Sequence, residues 1–229
     1  MNSELKTENR KLIISEDGSH TVFDENVKEH FHSTFGAINE SKEIFIKYGF
    51  KEILNSEAIN ILEIGFGTGL NIFLTFLENV NYNKNIFYSA IEPYPVDEGI
   101  YLNLNYPQIL NISENQKEVF HKIHKSSFGE KIKLSENFTL IKEKIKFECF
   151  ETEMKYDLIY FDAFSPDVQP ELWTQNIFKK TFDYLNNNGI LTTYSAKGEV
   201  KRNLKSAGFS VESLPGPKGK REVTRAIKI

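Results

Sequence analysis

The chain has 229 residues, 40% of them hydrophobic and 26% charged, with a net charge of −4. That length suits one domain, with or without an extension, and can bury a proper core. The composition is ordinary for a soluble globular protein, no stretch approaches a membrane span, and the net charge excludes a surface coated in positive charge.

The only cysteine, Cys149, cannot form an internal disulfide, which fits a reducing compartment. The start, MNSELKTENRKLIIS, is polar and has no apolar signal core, so a cytoplasmic protein is expected.

In chain order, Lys11 to Asp24 reads as a hairpin: KLIIS, a turn at EDGS, then HTVFD. The second half of the segment from Glu29 to Phe50 has the Phe, Ile and Tyr spacing of a helix. Strand-like apolar runs follow at Ile59–Ile64 and Ile86–Ile91, with a helical run between them at Leu70–Leu77. The span from Asn111 to Ser135 is polar and reads as an insertion with short helices. Beyond it come a strand at Asp157–Phe161 and a helix at Pro170–Leu185, opened by a proline and stopped by NNNG. A strand at Ile190–Tyr194, a helix at Glu199–Ala207 and strands at Phe209–Leu214 and Arg221–Ile229 complete the chain. Strands alternating with helices imply a mostly parallel sheet covered on both faces.

The stretch ILEIGFGTGLNIF, Ile61 to Phe73, places Gly65, Gly67 and Gly69 between a strand and a helix. Glycine there lets the backbone approach a ligand and makes positive φ cheap. The dinucleotide fingerprint needs a further glycine where this chain has Leu70, and no Lys-Ser/Thr pair follows to make a phosphate-binding loop. What remains is E-x-G-x-G-x-G with Glu63 as the acid, which looks like the first motif of class I S-adenosylmethionine-dependent methyltransferases; a tight structural turn is the alternative. Glu92 ends the next strand, where a carboxylate can accept bonds from both ribose hydroxyls. Asp162 ends the strand DLIYF at the carboxyl edge of the sheet, facing the reactive group of a bound cofactor unless it only caps a helix.

Charge is uneven along the chain. From Ser195 onward nine Lys or Arg stand against three acids, a net +6 that leaves about −10 on the remainder. A basic end on an acidic body can meet a polyanion at one face. A solvated helix and edge strand would look the same.

The segment D-A-F-S-P-x-x-x-P-E-L-W-T-Q-N-I-F, from Asp162, resembles the methyltransferase half of the bifunctional tRNA 5-methylaminomethyl-2-thiouridine biosynthesis proteins, the MnmC type. EIGFGTGLN, AIEPYPV, NNNGILTTYSAKGEVKRNLKSAGF, GPKGKREV and the opening EDGSHTVFDENVKEHFHSTFGAINESKEIFI are similar to that family in the same order. The resemblance implies an α/β class I S-adenosylmethionine-dependent methyltransferase. Its fold would be Rossmann-like, with a mostly parallel seven-stranded sheet and an N-terminal β-hairpin and helix extension. Residues 1–55 would be that extension, packed on a methyltransferase domain at 56–229.

Carried onto this chain, the resemblance implies cofactor contacts at Glu63, Gly65, Gly67, Thr68, Gly69, Glu92 and Asp162, with Glu143 standing in for an adenine contact. Asp162 would hold the substrate amine and its lone pair toward the methyl group. The amine would be the aminomethyl nitrogen of a wobble uridine in tRNA, and no metal is needed. Phe164, Pro166 and Trp173 would frame the base, with Tyr194 a further aromatic candidate, while Lys201, Arg202, Lys218, Lys220, Arg221 and Arg225 would meet tRNA. The family's FAD-dependent oxidase half has no second glycine-rich unit to represent it here, so the oxidative step is not expected. A polyamine aminopropyltransferase, a methyltransferase for proteins or small molecules, and an RNA-binding module without catalysis are the competing readings.

Overall fold

The computed structural model describes residues 9–229; residues 1–8, the beginning of the expected extension, lie outside the described residues. The chain opens with a three-stranded antiparallel sheet of β1 (Arg10–Ile14), β2 (His20–Asp24) and β3 (Glu29–His30). The expected hairpin is β1–β2, with Gly18 at φ 82° in its turn. Helix α1 (Ala37–Ser41) runs directly into a π-helical stretch at Lys42–Lys47, whose Ile44, Phe45 and Ile46 are buried.

The main sheet begins with β4 (Ala58–Ile64), followed by α2 (Leu70–Asn79) and β5 (Asn85–Ile91). Two single-turn helices, α3 (Glu98–Tyr101) and α4 (Tyr106–Ile109), precede α5 (Glu114–Lys125), β6 (Lys131–Ser135) and β7 (Phe138–Glu143). Next come β8 (Tyr156–Phe161), α6 (Gln175–Tyr184), β9 (Leu185–Thr193), α7 (Gly198–Ser206), β10 (Ser210–Pro215) and β11 (Glu222–Ile227).

Strand order in the sheet is β10-β11-β9-β8-β4-β5-β7-β6. Its centre, β7 to β9, is parallel; β11 runs antiparallel to both its neighbours, and β6 is antiparallel to β7. The sheet therefore has eight strands rather than the expected seven. The additional strand is β6, hidden in the polar span because the edge strand KIKLS buries only Leu134. That span also contains a 12-residue helix, α5, opened by a capping box between Ser113 and Gln116. The helix expected over Pro170–Leu185 is split. Pro170–Trp173 is a 3₁₀ turn, and Thr174, in extended conformation, caps α6 by accepting from the Ile177 N–H.

Apolar residues pack on both faces of the sheet, as the nearly all-buried pattern of β4, β5 and β8 requires. One layer joins α2, α5 and the N-terminal segment through Phe45, Phe73 and Phe120. The other joins α6 and α7 through Phe178, Leu204 and Phe209. Order reverses between β4 and β8: the chain first builds outward to β5 and β7, then returns to the other side of β4. A reversal of this kind opens a crevice beyond the carboxyl ends of the two strands.

Candidate active site

Gly65 follows β4 and Asp162 follows β8, so they face each other across that crevice. The Asp162 N–H donates to the Ile64 carbonyl at 2.9 Å. Gly65 sits at φ 92°, and a Cβ there would collide with the Asp162 carbonyl oxygen, so the approach of the two strand ends requires glycine. Gly67 (φ 49°) and Gly69 (φ 69°) complete a turn that delivers α2. Glu92, just past β5, binds that turn: its Oε2 accepts from the Gly67 N–H and its Oε1 from the Tyr94 N–H, both at 2.9 Å. Each oxygen keeps a lone pair for a further donor.

These groups line a cavity of about 680 Å³, within the usual size of small-molecule sites. Gly65, Gly67 and Glu92 lie on its wall with Pro93, Tyr94, Lys146, Phe147 and Glu148. Asp162, Phe164, Tyr194 and Lys220 line it with Glu29, Phe31 and Glu40 from the N-terminal segment. A glycine cradle beside a two-oxygen acceptor suits a ligand with a ribose diol, so the chain's own residues fit S-adenosylmethionine.

Asp162 is held by Asn71, whose amide Nδ2 donates to Oδ2 at 2.8 Å. Burial, with Glu40 nearby, pushes the Asp162 carboxyl up to about 8; the Asn71 bond and the Lys220 ammonium oppose that rise. Glu63 is fully buried beneath the turn, with Asn71 and Tyr88 as its polar neighbours. Burial and the nearby Asp162 raise its carboxyl well above the usual range. Glu63 is absent from the cavity wall, as are Thr68 and Gly69. Thr68 instead joins His32 at 2.8 Å and Tyr106 at 3.1 Å, tying the turn to the N-terminal segment.

Glu143 ends β7 and its carbonyl accepts the Glu92 N–H at 3.0 Å, but its side chain is not on the wall. Lys146, Phe147 and Glu148, beyond the strand end, occupy that place. Trp173 is buried and its indole N–H donates to the Phe164 carbonyl at 2.8 Å, fixing the loop after Asp162 rather than reaching the cavity. Pro166 stays off the wall, while Tyr194 lies on it and donates to the Ala163 carbonyl at 2.9 Å.

The basic tail is largely paired. Lys201 binds Glu222, Arg225 binds Glu212 and Glu52, Lys218 binds Glu16 and Lys220 binds Glu40. Arg202 and Arg221 are exposed and make no ion pair among the described residues.

The sequence reading missed the wall supplied by the N-terminal segment. Buried Arg10 donates to Asp24 at 2.8 Å and to the Tyr94 and Pro95 carbonyls at 2.9 and 3.1 Å, clamping the loop after Glu92. Its guanidinium stacks 5.1 Å from the Phe31 ring centre, and Phe31 meets Phe164 edge-on at 5.1 Å. Glu29 accepts from the Ser165 N–H and hydroxyl. The hairpin itself brings Arg10 to Asp24, but the remaining contacts reach outside it, to Tyr94, Pro95, Phe164 and Ser165, and no local pattern predicts them.

Comparison with known proteins agrees with the geometry. A family model described as S-adenosyl-L-methionine-dependent methyltransferase matches residues 109–229. A Campylobacter hominis tRNA 5-methylaminomethyl-2-thiouridine biosynthesis bifunctional protein MnmC is 30% identical over 215 residues, which cover 90% of this chain and 31% of that protein. An uncharacterized protein of Methanocaldococcus jannaschii is 27% identical, over 98% of this chain and 61% of its own length. The crystal structure of MNMC2 from Aquifex aeolicus superposes with a TM-score of 0.74 at 25% identity, covering 95% of this chain and 70% of that one. The chain thus spans about a third of the bifunctional relative, and the family model covers just over half of it: it belongs to the S-adenosyl-L-methionine-dependent methyltransferases.

Proposed function

We propose that this methyltransferase acts in the cytoplasm on tRNA, methylating the aminomethyl nitrogen of a modified wobble uridine to give 5-methylaminomethyl-(2-thio)uridine. The observation that carries the reading is Asp162. It stands at the switch point of the sheet, on the wall of one cavity that the glycine turn shares with Phe31, Phe164, Tyr194 and Lys220. The similarity to proteins named for this tRNA modification supports the choice of substrate.

When bound, S-adenosylmethionine supplies a methyl carbon activated by its positive sulfur. Gly65, Gly67 and Glu92 would hold its methionine and adenosine parts, with Lys146 to Glu148 near the base. Asp162 acts on the incoming amine. A primary amine enters mostly as ammonium, whose charge draws the Asp162 carboxyl toward its ionised form. The carboxylate takes one ammonium proton and points the freed lone pair at the methyl group. Burial raises the Asp162 carboxyl and so makes its ionised form a stronger proton acceptor than a carboxylate in water.

Reaching the cavity requires the uridine to leave its stack, and Phe31, Phe164 and Tyr194 offer aromatic surfaces for the flipped base. Arg202, Lys205 and Arg221 are exposed tail cations without an ion pair among the described residues, and exposed Lys218 can exchange its surface partner at little cost. The test is incubation with S-adenosylmethionine and tRNA carrying 5-aminomethyluridine, followed by nucleoside mass analysis. Appearance of 5-methylaminomethyluridine is expected; methyl incorporation into any other nucleoside alone would refute the assignment.

A further inference from the structure

Glu40 is the least expected charge in the cavity. It lies in α1, is 6% exposed, and anchors one oxygen by accepting the Ser33 N–H at 2.9 Å. The other oxygen, Oε2, is buried, has no hydrogen bond, and belongs to a residue on the cavity wall. The nearest cation is the Lys220 ammonium at 3.3 Å, which also lies 4.8 Å from the centre of the Tyr194 ring. Asp162 completes the surroundings, since both Glu40 and Lys220 act on its charge.

A primary alkylammonium therefore already sits against Glu40 and an aromatic face, close to the proposed catalytic carboxylate. Lys220 reaches there from the surface loop at 216–221 between β10 and β11, so its side chain can leave without disturbing the sheet. The ammonium of lysine and that of an aminomethyl group are the same functional group. Both satisfy a buried carboxylate by charge-assisted hydrogen bonding and an aromatic face by cation–π attraction.

We propose that Glu40 and the face of Tyr194 form the recognition site for the substrate's ammonium, and that Lys220 fills it in the free enzyme as a stand-in the substrate displaces. The inference rests on the aminomethyl-uridine reading. It adds a specificity residue to it: a neutral group on the same uridine has no charge with which to evict Lys220 and leaves Glu40 unserved. Lys220, once displaced, is returned to the surface beside Arg221, where a polyanion can receive it.

The test uses the full chain saturated with S-adenosylhomocysteine, with 5-aminomethyluridine and 5-hydroxymethyluridine as small probes that carry no phosphate. Calorimetry should show wild type preferring the amine by about tenfold or more, the worth of a charge-assisted bond. Glu40→Gln should reduce that preference severalfold, with Asp162 supplying the remainder, while keeping S-adenosylhomocysteine affinity. Lys220→Met removes the resident competitor and should bind the amine tighter than wild type, with a smaller gain for the hydroxymethyl probe, which has no charge to offer Glu40. Equal preference in Glu40→Gln and wild type, or no tightening in Lys220→Met, would overturn the inference; if Glu40→Gln fails to fold, Lys220→Met decides it. Methylation of aminomethyluridine tRNA by wild type is measured in parallel. Its absence removes the substrate reading and this inference together, whereas its presence with unaltered probe preferences removes only the role of Glu40.

Discussion

Replacing Asp162 with asparagine should stabilise the free enzyme, and increasingly so as pH rises. The side chain is buried against Asn71, and its carboxyl titrates at about 8 in the folded chain against 3.8 as its ordinary value. Below pH 4 both folded and unfolded states hold the proton and the group contributes nothing. Between pH 4 and 8 the unfolded chain has released a proton that the folded chain still binds, so stability falls with pH. At about 1.4 kcal/mol per unit, the penalty reaches roughly 4 kcal/mol at pH 7 and levels off above pH 8. Glu63 adds in the same direction, because the Asp162 charge helps to raise its carboxyl. Asparagine carries no charge and its carbonyl can accept the same 2.8 Å bond from Asn71. For a chain of this size, 1 kcal/mol corresponds to about 2–4 °C, so Asp162→Asn should melt roughly 10 °C above wild type at pH 7.5 and close to it at pH 4.5. Calorimetric melting across that range, without ligand, is the assay. A difference that does not change with pH would refute the reasoning, since only titration of a buried carboxyl produces the slope.

Glu92→Ala should weaken S-adenosylmethionine binding by about 1.5–3 kcal/mol by calorimetry, the cost of losing charge-assisted bonds, and an unchanged affinity would remove Glu92 from the site. Gly65→Ala should cost about 3 kcal/mol or more in urea unfolding, because its φ of 92° and the Asp162 carbonyl leave a methyl nowhere to go. Reversing Arg202 and Arg221 to glutamate should weaken tRNA binding, flatten its salt dependence and leave S-adenosylmethionine affinity intact. Filter binding at low and moderate salt checks this, and identical salt slopes in mutant and wild type would contradict it.

The parts of the site that could be read from the sequence are those that local chain chemistry dictates. Gly65 and Gly67 lie between an apolar strand and an amphipathic helix, and Glu92 and Asp162 end apolar strands, so their places at one sheet edge follow from a parallel α/β pattern. Glu63 carried the same motif signal yet sits beneath the turn, because the strand's alternation points it into the polar pocket beside Asn71 and Tyr88. The wall built by Glu29, Phe31 and Glu40 was not legible, since it depends on how a separate three-stranded sheet docks on the main one. The helix expected in the polar span is α5, legible in the S-x-x-Q of its capping box at Ser113 and Gln116, whereas the strands β6 and β7 were not read. The charge count of the tail was read correctly, but composition could not reveal that Lys201, Lys218, Lys220 and Arg225 spend their charge on neighbouring acids.

The central claim is that Asp162 prepares the amine for methyl transfer, and single-turnover kinetics on tRNA carrying 5-aminomethyluridine tests it most directly. With S-adenosylmethionine saturating, Asp162→Asn should bind both substrates and lose at least about 10²-fold in rate at pH 7, the usual worth of general acid–base assistance. The loss should shrink toward pH 9, where the amine is increasingly free without help. A mutant that turns over at near wild-type rate at pH 7, or a loss that is the same at both pH values, would contradict the account.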